Sequence, residues 1–197
     1  MKEGRATSDY STLTSSTVRP SSTSPVMRRG SEIMADDTNS DTTGRIVQTL
    51  IVDPATGRIL LGYHTGGMFA GNYTGLIGYA NDGEEPEDAA RRVAIELSGL
   101  AVGELELRAI FTFTDSETGD DEEYEFFCER FSGEVRESES MRPEWFAISE
   151  IPYDKMPADD EIWYPPFLEG KNLRGQFNFS PDMRELLSHD LKEVDNR

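Results

Sequence analysis

Charged side chains at helical spacing mark one short stretch in the middle of the chain as a candidate reaction site. Arg92 and Glu96 are four residues apart and would share one face of a helix, and Glu84 lies in the segment before it. Carboxylates grouped on such a face can hold a divalent cation against a diphosphate, and the cation then polarises the phosphoryl oxygens and activates water. Val93 and Leu97 occupy the positions beside Glu96, so this face offers one carboxylate. We therefore expect at most a weak Mg²⁺ site.

The element that positions these side chains is predicted to be a helix from Pro86 to Ser98. Proline suits the first position of a helix, and Glu87 and Asp88 follow it where the positive end of the helix dipole favours anions. Gly99 can adopt the left-handed conformation that ends a helix. A tight loop should lead into this helix.

The spacing of the stretch resembles the box motif of the Nudix hydrolases. In that motif a glycine is followed after five residues by a glutamate, and after seven more by a helical segment rich in glutamates. The positions that match are Gly78, Glu84, Arg92, Glu96, Gly99 and Leu100. Val93 and Leu97 stand where the motif has its first and last helical glutamates. The resemblance implies three catalytic residues, which are Glu96, Arg92 and Glu84.

The resemblance also implies where a metal ion would bind. The metal-binding positions of the family correspond here to Gly78, Glu96 and Glu139. Glu139 is included because it adjoins Ser140, which replaces a further glutamate of the family. One carboxylate binds Mg²⁺ poorly unless other ligands join it, so the implied site is a weak one.

Further local matches between residues 45 and 195 resemble one branch of this family, the oxidised-purine nucleoside triphosphate diphosphatases of the MutT-homologue type, which act on 8-oxo-dGTP. The matches are Leu60-Leu61-Gly62, Ala70-Gly71, Gly75, Met141-Arg142-Pro143, Trp145-Phe146, Asp159-Asp160, Trp163, Gly175, Phe177, Phe179 and the segment 191–195. In that branch an adjacent aspartate pair recognises the purine edge and a tryptophan stacks on the base. The resemblance thus implies Asp159, Asp160 and Trp163 as the substrate pocket.

Three further residues are assigned to the same substrate site, namely Met68, Tyr73 and Thr74. Thr74 stands where the branch has an asparagine that contacts the base. Two close carboxylates cannot easily both ionise, so we expect Asp159 and Asp160 to share a proton and to donate one hydrogen bond. The alternative for this segment is an acidic turn beside a core tryptophan.

The fold implied by the resemblance is the α/β Nudix sandwich, a mixed β-sheet between helices. The implied activity is Mg²⁺-dependent cleavage of purine nucleoside triphosphates to monophosphate and pyrophosphate. The alternative is a catalytically inactive domain that binds a nucleotide or a protein partner. The two differ in whether three carboxylates converge on the loop at Gly78. We expect Val93 and Leu97 to line an open cleft, so that glutamates introduced there would restore Mg²⁺-dependent activity.

The amino-acid composition limits the classes of molecule that this protein can bind. A net charge of −19 and a pI near 4.4 argue against a nucleic-acid polymer, because phosphate backbones require clustered Lys and Arg. A small-molecule nucleotide stays possible if a metal ion masks its charge. No apolar run approaches the ~18 residues of a membrane-spanning helix. We expect a soluble, cytoplasmic protein that does not bind membranes and is a monomer.

Strands are predicted on both sides of the box. A β-branched run over residues 45–52 and its continuation at residues 58–62 form a hairpin around Asp53. Two more strands are predicted at 104–114 and 123–131, and six of the nine residues from Asp115 to Glu123 are acidic. Such a charge run is usually a solvated hairpin tip; alternatively it supplies the carboxylates that the helix lacks.

The last third of the chain is predicted to form a short strand at residues 141–146, an irregular segment at 151–166 and a final helix. Ser180 would cap that helix, and its apolar stripe would consist of Met183, Leu186, Leu187, Leu191 and Val194. Cys128 is interpreted as a small buried strand residue. His64 is placed at a strand end, without a sequence partner that suggests metal binding.

Residues 1–44 form a separate compositional region. Seventeen of them are Ser or Thr and few are large and apolar, so burial cannot repay the entropy of ordering them. We expect a disordered leader followed by one domain at residues 45–195. The leader could be a flexible tail, a transit peptide, or the result of an upstream start codon with initiation at Met27 or Met34.

Overall fold

A mixed sheet of nine strands organises the computed structural model, which describes residues 44–115 and 119–195. The predicted leader lies outside these residues. The described residues form eleven strands, of which all but β5 and β8 belong to this sheet. They are β1 Arg45–Asp53, β2 Arg58–His64, β3 Tyr73–Thr74, β4 Leu76–Tyr79, β5 Ala101–Val102, β6 Glu106–Asp115, β7 Gly119–Cys128, β8 Phe131–Ser132, β9 Met141–Ala147, β10 Asn172–Phe179 and β11 Leu186–Val194. The helices are α1 Pro86–Ser98 and α2 Asp160–Leu168, and 3₁₀ turns span Ile148–Glu150 and Tyr153–Lys155.

The strand order is β11-β10-β6-β7-β1-β2-β3, with β4 paired to β1 and β9 paired to β2. Two pairs are parallel, β1 with β7 and β10 with β6, and the others are antiparallel. The predicted hairpin of β1 and β2 is confirmed. The remaining strands, β5 and β8, form a separate antiparallel pair.

Helix α1 covers one face of the sheet. It runs from Pro86 to Ser98 and ends on Gly99 in the left-handed conformation, as predicted. Its residues Ala89, Val93 and Ala94 pack against apolar side chains of the sheet, namely Val47, Ile51, Leu60, Leu76, Phe126, Cys128 and Met141. The small side chains let the helix approach the sheet closely, and Cys128 is buried here as expected.

Helix α2 covers the opposite face. Trp163, Tyr164 and Phe167 are buried in a second core together with Leu50, Val52, Ile59, Leu61, Phe111, Phe127, Leu173 and Phe177. The sheet therefore lies between two helical layers, which confirms the predicted α/β/α sandwich. None of the helices in the described residues is both long and apolar enough to cross a bilayer.

The sequence interpretation of residues 151–166 as irregular is wrong, since α2 begins at Asp160. Pro165 and Pro166 lack the N–H groups that continue a helix, which is why the segment resembles a break. The helix forms nevertheless, because Trp163 and Phe167 are 1% and 0% exposed and their burial favours this conformation.

The predicted final helix is also wrong, because the last element is strand β11. A bulge at Asn178 shifts the register so that Leu186 pairs with Phe179, and this leucine packs on the α2-side core while Leu187 is 62% exposed. The Ser180 hydroxyl accepts a hydrogen bond from the Glu185 N–H at 3.0 Å, so it closes the turn before β11 instead of capping a helix.

The predicted acidic hairpin tip is shorter than expected. Strand β7 begins at Gly119, so Asp120 to Glu123 are strand residues, and residues 116–118 lie outside the described part of the chain. Glu123 and Glu125 are 5% and 0% exposed. Glu123, which the sequence analysis counted in the acidic run, and Glu125, which it placed in the following strand, are therefore both buried in the sheet.

Candidate functional site

On the α1 side, the three residues predicted to be catalytic form one ion-pair network, called here the arginine network: Arg92, Glu84 and Glu96. Arg92 donates to both carboxylate oxygens of Glu84, from Nε to Oε1 at 2.9 Å and from Nη2 to Oε2 at 2.7 Å. Its Nη1 donates to Glu96 Oε2 at 3.2 Å, and its Nη2 also donates to the Tyr79 carbonyl at 2.9 Å. One guanidinium thus joins the box loop to the helix.

The arginine network fixes the charge state of Glu84. The paired hydrogen bonds from Arg92, together with one from the Asn81 N–H at 2.8 Å, lower the pKa of Glu84 to about 2. Glu96 is exposed, and its carboxylate interacts with the same guanidinium. Both carboxylates therefore already interact with a cation that belongs to the protein, and that single positive charge balances one of their two negative charges.

The positions beside Glu96 are not an open cleft. Val93 is 3% exposed, and a Cβ placed on Gly78 would lie 2.9 Å from Val93 Cγ2. Leu97 is half-buried and packs against the same core. The expectation of an open face is wrong for Val93, whose side chain fills the space next to the backbone of Gly78.

Glu139, the third implied metal ligand, lies in the exposed segment before β9, where its carbonyl accepts a hydrogen bond from the Thr65 hydroxyl at 3.0 Å. Within residues 44–115 and 119–195, no three His, Cys, Asp or Glu side chains form a group that could hold a metal ion. Glu96, Glu84 and Glu139 are thus not assembled into a cation site.

On the α2 side, the predicted substrate residues Asp159, Asp160 and Trp163 do lie together. The aspartates are 4% and 3% exposed, at the start of α2. The Trp163 indole N–H donates to Asp159 Oδ2 at 3.2 Å, and its ring packs against Phe111 and Phe167 within the core. Trp163 thus contacts Asp159 directly; stacking of Trp163 on a base stays a prediction.

Burial sets the protonation of this aspartate pair. It raises the pKa of Asp159 to about 6, an effect that the hydrogen bond from Trp163 partly opposes. The pKa of Asp160 is raised well above its usual value by burial and then by the charge of Asp159. Because burial and the charge of Asp159 both favour the protonated form of Asp160, the pair can offer a hydrogen-bond acceptor and a donor side by side.

Two of the three remaining predicted substrate residues are engaged with neighbouring side chains. Thr74 donates its hydroxyl hydrogen to the Gly75 carbonyl at 2.7 Å, so the His64 Nε2 that lies 2.7 Å away must be the donor to it. Burial lowers the pKa of His64 to about 4 and keeps it neutral. The Tyr73 hydroxyl donates to Glu144 Oε2 at 3.3 Å, and Met68 is 42% exposed.

Sequence reasoning missed Gln48, Glu123 and Glu125, which lie on the α2 face of the sheet. Gln48 Nε2 donates to Glu125 Oε2 at 3.2 Å and to Glu123 Oε1 at 3.4 Å. The signal was the alternation of β7: Glu123, Glu125 and Phe127 face α2, while Tyr124 and Phe126 face α1. A central strand that is covered on both faces buries side chains on either face, whatever their charge.

Comparison with known proteins identifies close relatives. The chain is 38% identical over 149 residues to a Danio rerio protein named oxidized purine nucleoside triphosphate hydrolase, covering 75% of this chain and 95% of the relative. The Mus musculus protein of the same name is 37% identical over 150 residues, with the same coverage. The chain belongs to the Nudix hydrolase family. No family model matches the sequence.

Solved structures agree with this Nudix membership. The MutT protein of Bacillus halodurans superimposes with a TM-score of 0.65 at 25% identity, covering 75% of this chain and 97% of that protein. A MutT Nudix hydrolase from Burkholderia pseudomallei gives a TM-score of 0.52 at 25% identity, covering 57% and 88% of the two chains.

Nudix hydrolases generally use divalent metal ions such as Mg²⁺. The residues on α1 do not fit such an ion, because Val93 is buried against Gly78 and the carboxylates of Glu84 and Glu96 are bound by Arg92. The box of this Nudix domain retains the loop and helix of the family, but the helix face carries apolar side chains instead of a cluster of ligands.

Proposed function

We propose that residues 45–195 recognise oxidized purine nucleoside triphosphates of the 8-oxo-dGTP type and hydrolyse them to the nucleoside monophosphate and pyrophosphate. The names of the Danio rerio and Mus musculus relatives support this substrate class. The single observation that carries the proposal is the buried pair Asp159 and Asp160, which is held at the start of α2 by Trp163.

The chemistry of the aspartate pair suits an oxidised purine. Oxidation at position 8 of guanine places an N–H at position 7, where the unmodified ring has a bare nitrogen. An ionised Asp159 can accept from an N–H, and a protonated Asp160 can donate to a carbonyl or ring nitrogen. A hydrogen bond to a charged group contributes about 1.5–3 kcal/mol, which is sufficient to discriminate between the two bases.

A second candidate function is nucleotide or protein binding without hydrolysis. The observation that favours it is the α1 face, where Val93 is buried and Arg92 forms ion pairs with the two nearby carboxylates. Loss of positioned metal ligands usually lowers the rate of a metal-dependent hydrolase by orders of magnitude. The base-recognition residues on the α2 side would keep their role in either case.

One experiment tests both candidates. Binding of 8-oxo-dGTP, dGTP and dATP is measured by isothermal titration calorimetry without metal, and product formation is followed by ion-exchange chromatography with Mg²⁺. Asp159→Asn is compared with Asp154→Asn, an exposed aspartate in the preceding 3₁₀ turn. Glu96→Gln is compared with Glu87→Gln on the same helix.

Altered nucleotide preference in Asp159→Asn but not in Asp154→Asn would support recognition at the aspartate pair. Pyrophosphate release that Glu96→Gln abolishes and Glu87→Gln preserves would support hydrolysis. Binding without product would favour the second candidate for a nucleotide ligand. If no purine nucleotide binds to the unaltered protein, the assignment of a nucleotide site is wrong.

A further inference from the structure

Four buried carboxyl groups lie together on the α2 face, and they are called here the carboxyl cluster: Glu123, Glu125, Asp159 and Asp160. All four are at most 5% exposed. Glu123 and Glu125 are two residues apart on β7, so both point to this face, and one amide nitrogen, that of Gln48, lies within hydrogen-bonding distance of both carboxyl groups.

Gln48 fixes the position of the two glutamates. Its amide nitrogen donates to both of them, and its carbonyl oxygen lies 3.5 Å from the Tyr164 hydroxyl, which donates to it. The Gly75 N–H in turn donates to the Tyr164 hydroxyl at 3.1 Å. A chain of hydrogen bonds from β1 through α2 therefore holds this part of the carboxyl cluster in place.

The two aspartates are electrostatically coupled to the glutamates. The charge of Asp159 acts on Glu123, and that of Asp160 acts on Glu125. The titratable groups that face the cluster are Asp121 on β7, Tyr153 in the 3₁₀ turn and Tyr164 on α2. Among the described residues, no Lys or Arg forms an ion pair with any of the four carboxyl groups.

One buried oxygen of the carboxyl cluster has no hydrogen-bond partner among the described residues. Asp160 Oδ2 is buried and makes no hydrogen bond within the described residues. A buried polar oxygen without a partner costs about 1–3 kcal/mol, and a ligand in contact with it would remove that cost. A ligand carbonyl would satisfy it while Asp160 is protonated, and a ligand N–H would satisfy it once Asp160 is ionised.

We propose that Glu123, Glu125 and Gln48 extend the Asp159–Asp160 edge into one continuous recognition surface for a base that presents several N–H donors. The inference rests on the proposed function, which places the base at the aspartate pair. The 8-oxoguanine ring has such an edge, with N–H groups at positions 1 and 7 and an amino group at position 2. Donors brought next to the carboxyl cluster favour its ionised form, so binding releases protons to solvent.

The test measures proton release and nucleotide preference together. Isothermal titration calorimetry without metal at pH 7, in two buffers of different ionisation enthalpy, compares 8-oxo-dGTP with 8-oxo-dITP, which lacks the 2-amino donor. The variants are Glu125→Gln and Glu123→Gln, which keep the shape of the side chain. The control is Glu129→Gln, an exposed glutamate just after β7, and thermal unfolding confirms that each variant is folded.

We expect the unaltered protein and Glu129→Gln to release more protons with 8-oxo-dGTP than with 8-oxo-dITP. In Glu125→Gln, or in Glu123→Gln if the former does not fold, proton release should fall. The preference for 8-oxo-dGTP should decrease by about 10-fold to 100-fold, the equivalent of one hydrogen bond to a charged group.

Two outcomes separate this inference from the proposed function. If Asp159→Asn changes nucleotide preference while both folded glutamate variants keep the preference and proton release of the unaltered protein, the glutamates are structural and the inference is overturned. If Asp159→Asn also leaves binding unchanged, the placement of the base is wrong and the proposed function fails with it. A loss of stability without a change in preference in a glutamate variant counts against the inference.

Discussion

The acidic residues on the two faces of the sheet have opposite environments. On the α1 side, Glu84 and Glu96 contact solvent and share Arg92, and the pKa of Glu84 is lowered to about 2. On the α2 side, Glu123 and Glu125 are buried, and the pKa of Glu123 is raised to about 8. The same residue type is an anion on one face and a protonated acid on the other, because burial and partners determine proton affinity.

This contrast distinguishes the two faces of the domain. The α2 side holds four buried carboxyl groups, whereas on the α1 side Val93 and Leu97 stand beside Glu96, and no group of three potential metal ligands forms among the described residues. Val93 packs in the core against Gly78. Introducing a carboxylate at this position would therefore mean burying a charge.

The largest effect is expected for Val93→Glu. The new carboxylate would be buried beside the backbone of Gly78, and we expect a loss of about 3–5 kcal/mol in the free energy of unfolding. Leu97→Glu is the matched control, because Leu97 is only half-buried and its carboxylate could reach solvent. Urea denaturation measures the free energy of unfolding of both variants. Equal stability of the two variants would mean that the α1 face is an open cleft after all.

The next effect is a loss of stability between pH 4.5 and about pH 8 that originates on the α2 side. The folded state keeps a proton on Glu123 that the unfolded chain releases near pH 4.5, so this stabilisation is complete below pH 4.5 and is lost as the pH rises through about 8. Each retained proton should contribute a slope of about 1.4 kcal/mol per pH unit.

This slope is measured by urea denaturation between pH 6.5 and 8.5. His64, with a folded pKa of about 4 and an ordinary value of 6.5, destabilises the fold only as the pH falls below 6.5, so it does not contribute to the slope within this range. Glu123→Gln should flatten the slope, and Glu129→Gln should leave it unchanged. A slope that is identical in Glu123→Gln would show that this glutamate is ionised in the folded protein.

A smaller effect is expected for Trp163→Phe. The substitution keeps an aromatic ring in the core but removes the N–H that donates to Asp159, and we expect a loss of about 1–3 kcal/mol at pH 7. The loss should decrease at pH 5, where the protonated aspartate depends less on that donor. Trp145→Phe, on the α1 side, serves as the control and should not show this pH dependence.

The smallest effect is expected for Glu84→Gln, because its ion pair with Arg92 is partly screened by solvent. The pKa of Glu84 is lowered, so its contribution is present above pH 4.5 and is lost as the pH falls through about 2. The variant should be slightly less stable than the unaltered protein at pH 7, and the difference should vanish near pH 2. Glu87→Gln, which removes the ion pair with Arg91, provides the comparison.

Local signals in the sequence predicted the elements that local chemistry determines. Helix α1 carries its own start and stop residues, Pro86 and Gly99, and the hairpin of β1 and β2 carries its own turn. Strand β11 could not be identified this way, since its leucines also fit a helical stripe and its conformation depends on pairing with β10. Helix α2 contains two prolines and forms because its aromatic residues are buried by the sheet.

The candidate site was predictable to a similar degree. The family motif named Arg92, Glu84, Asp159 and Trp163 as site residues. The structure places Arg92 in contact with Glu84, and Trp163 in contact with Asp159, while their roles stay predictions. Glu123 could not be assigned correctly, because its charge suggested solvent exposure. Its burial results from the position of β7 between β1 and β6, which is a property of the whole sheet.

Strand β11 has a consequence for how the molecules behave in solution. It ends the nine-stranded sheet, and a terminal strand with free N–H and C=O groups is a template on which a second copy can add its own strand. The exposed residues of β11 include Asp190, Lys192 and Glu193, and addition of another strand would desolvate their charges and bring together molecules that each carry −19. The charges on this sheet edge therefore oppose fibre-like growth by strand addition.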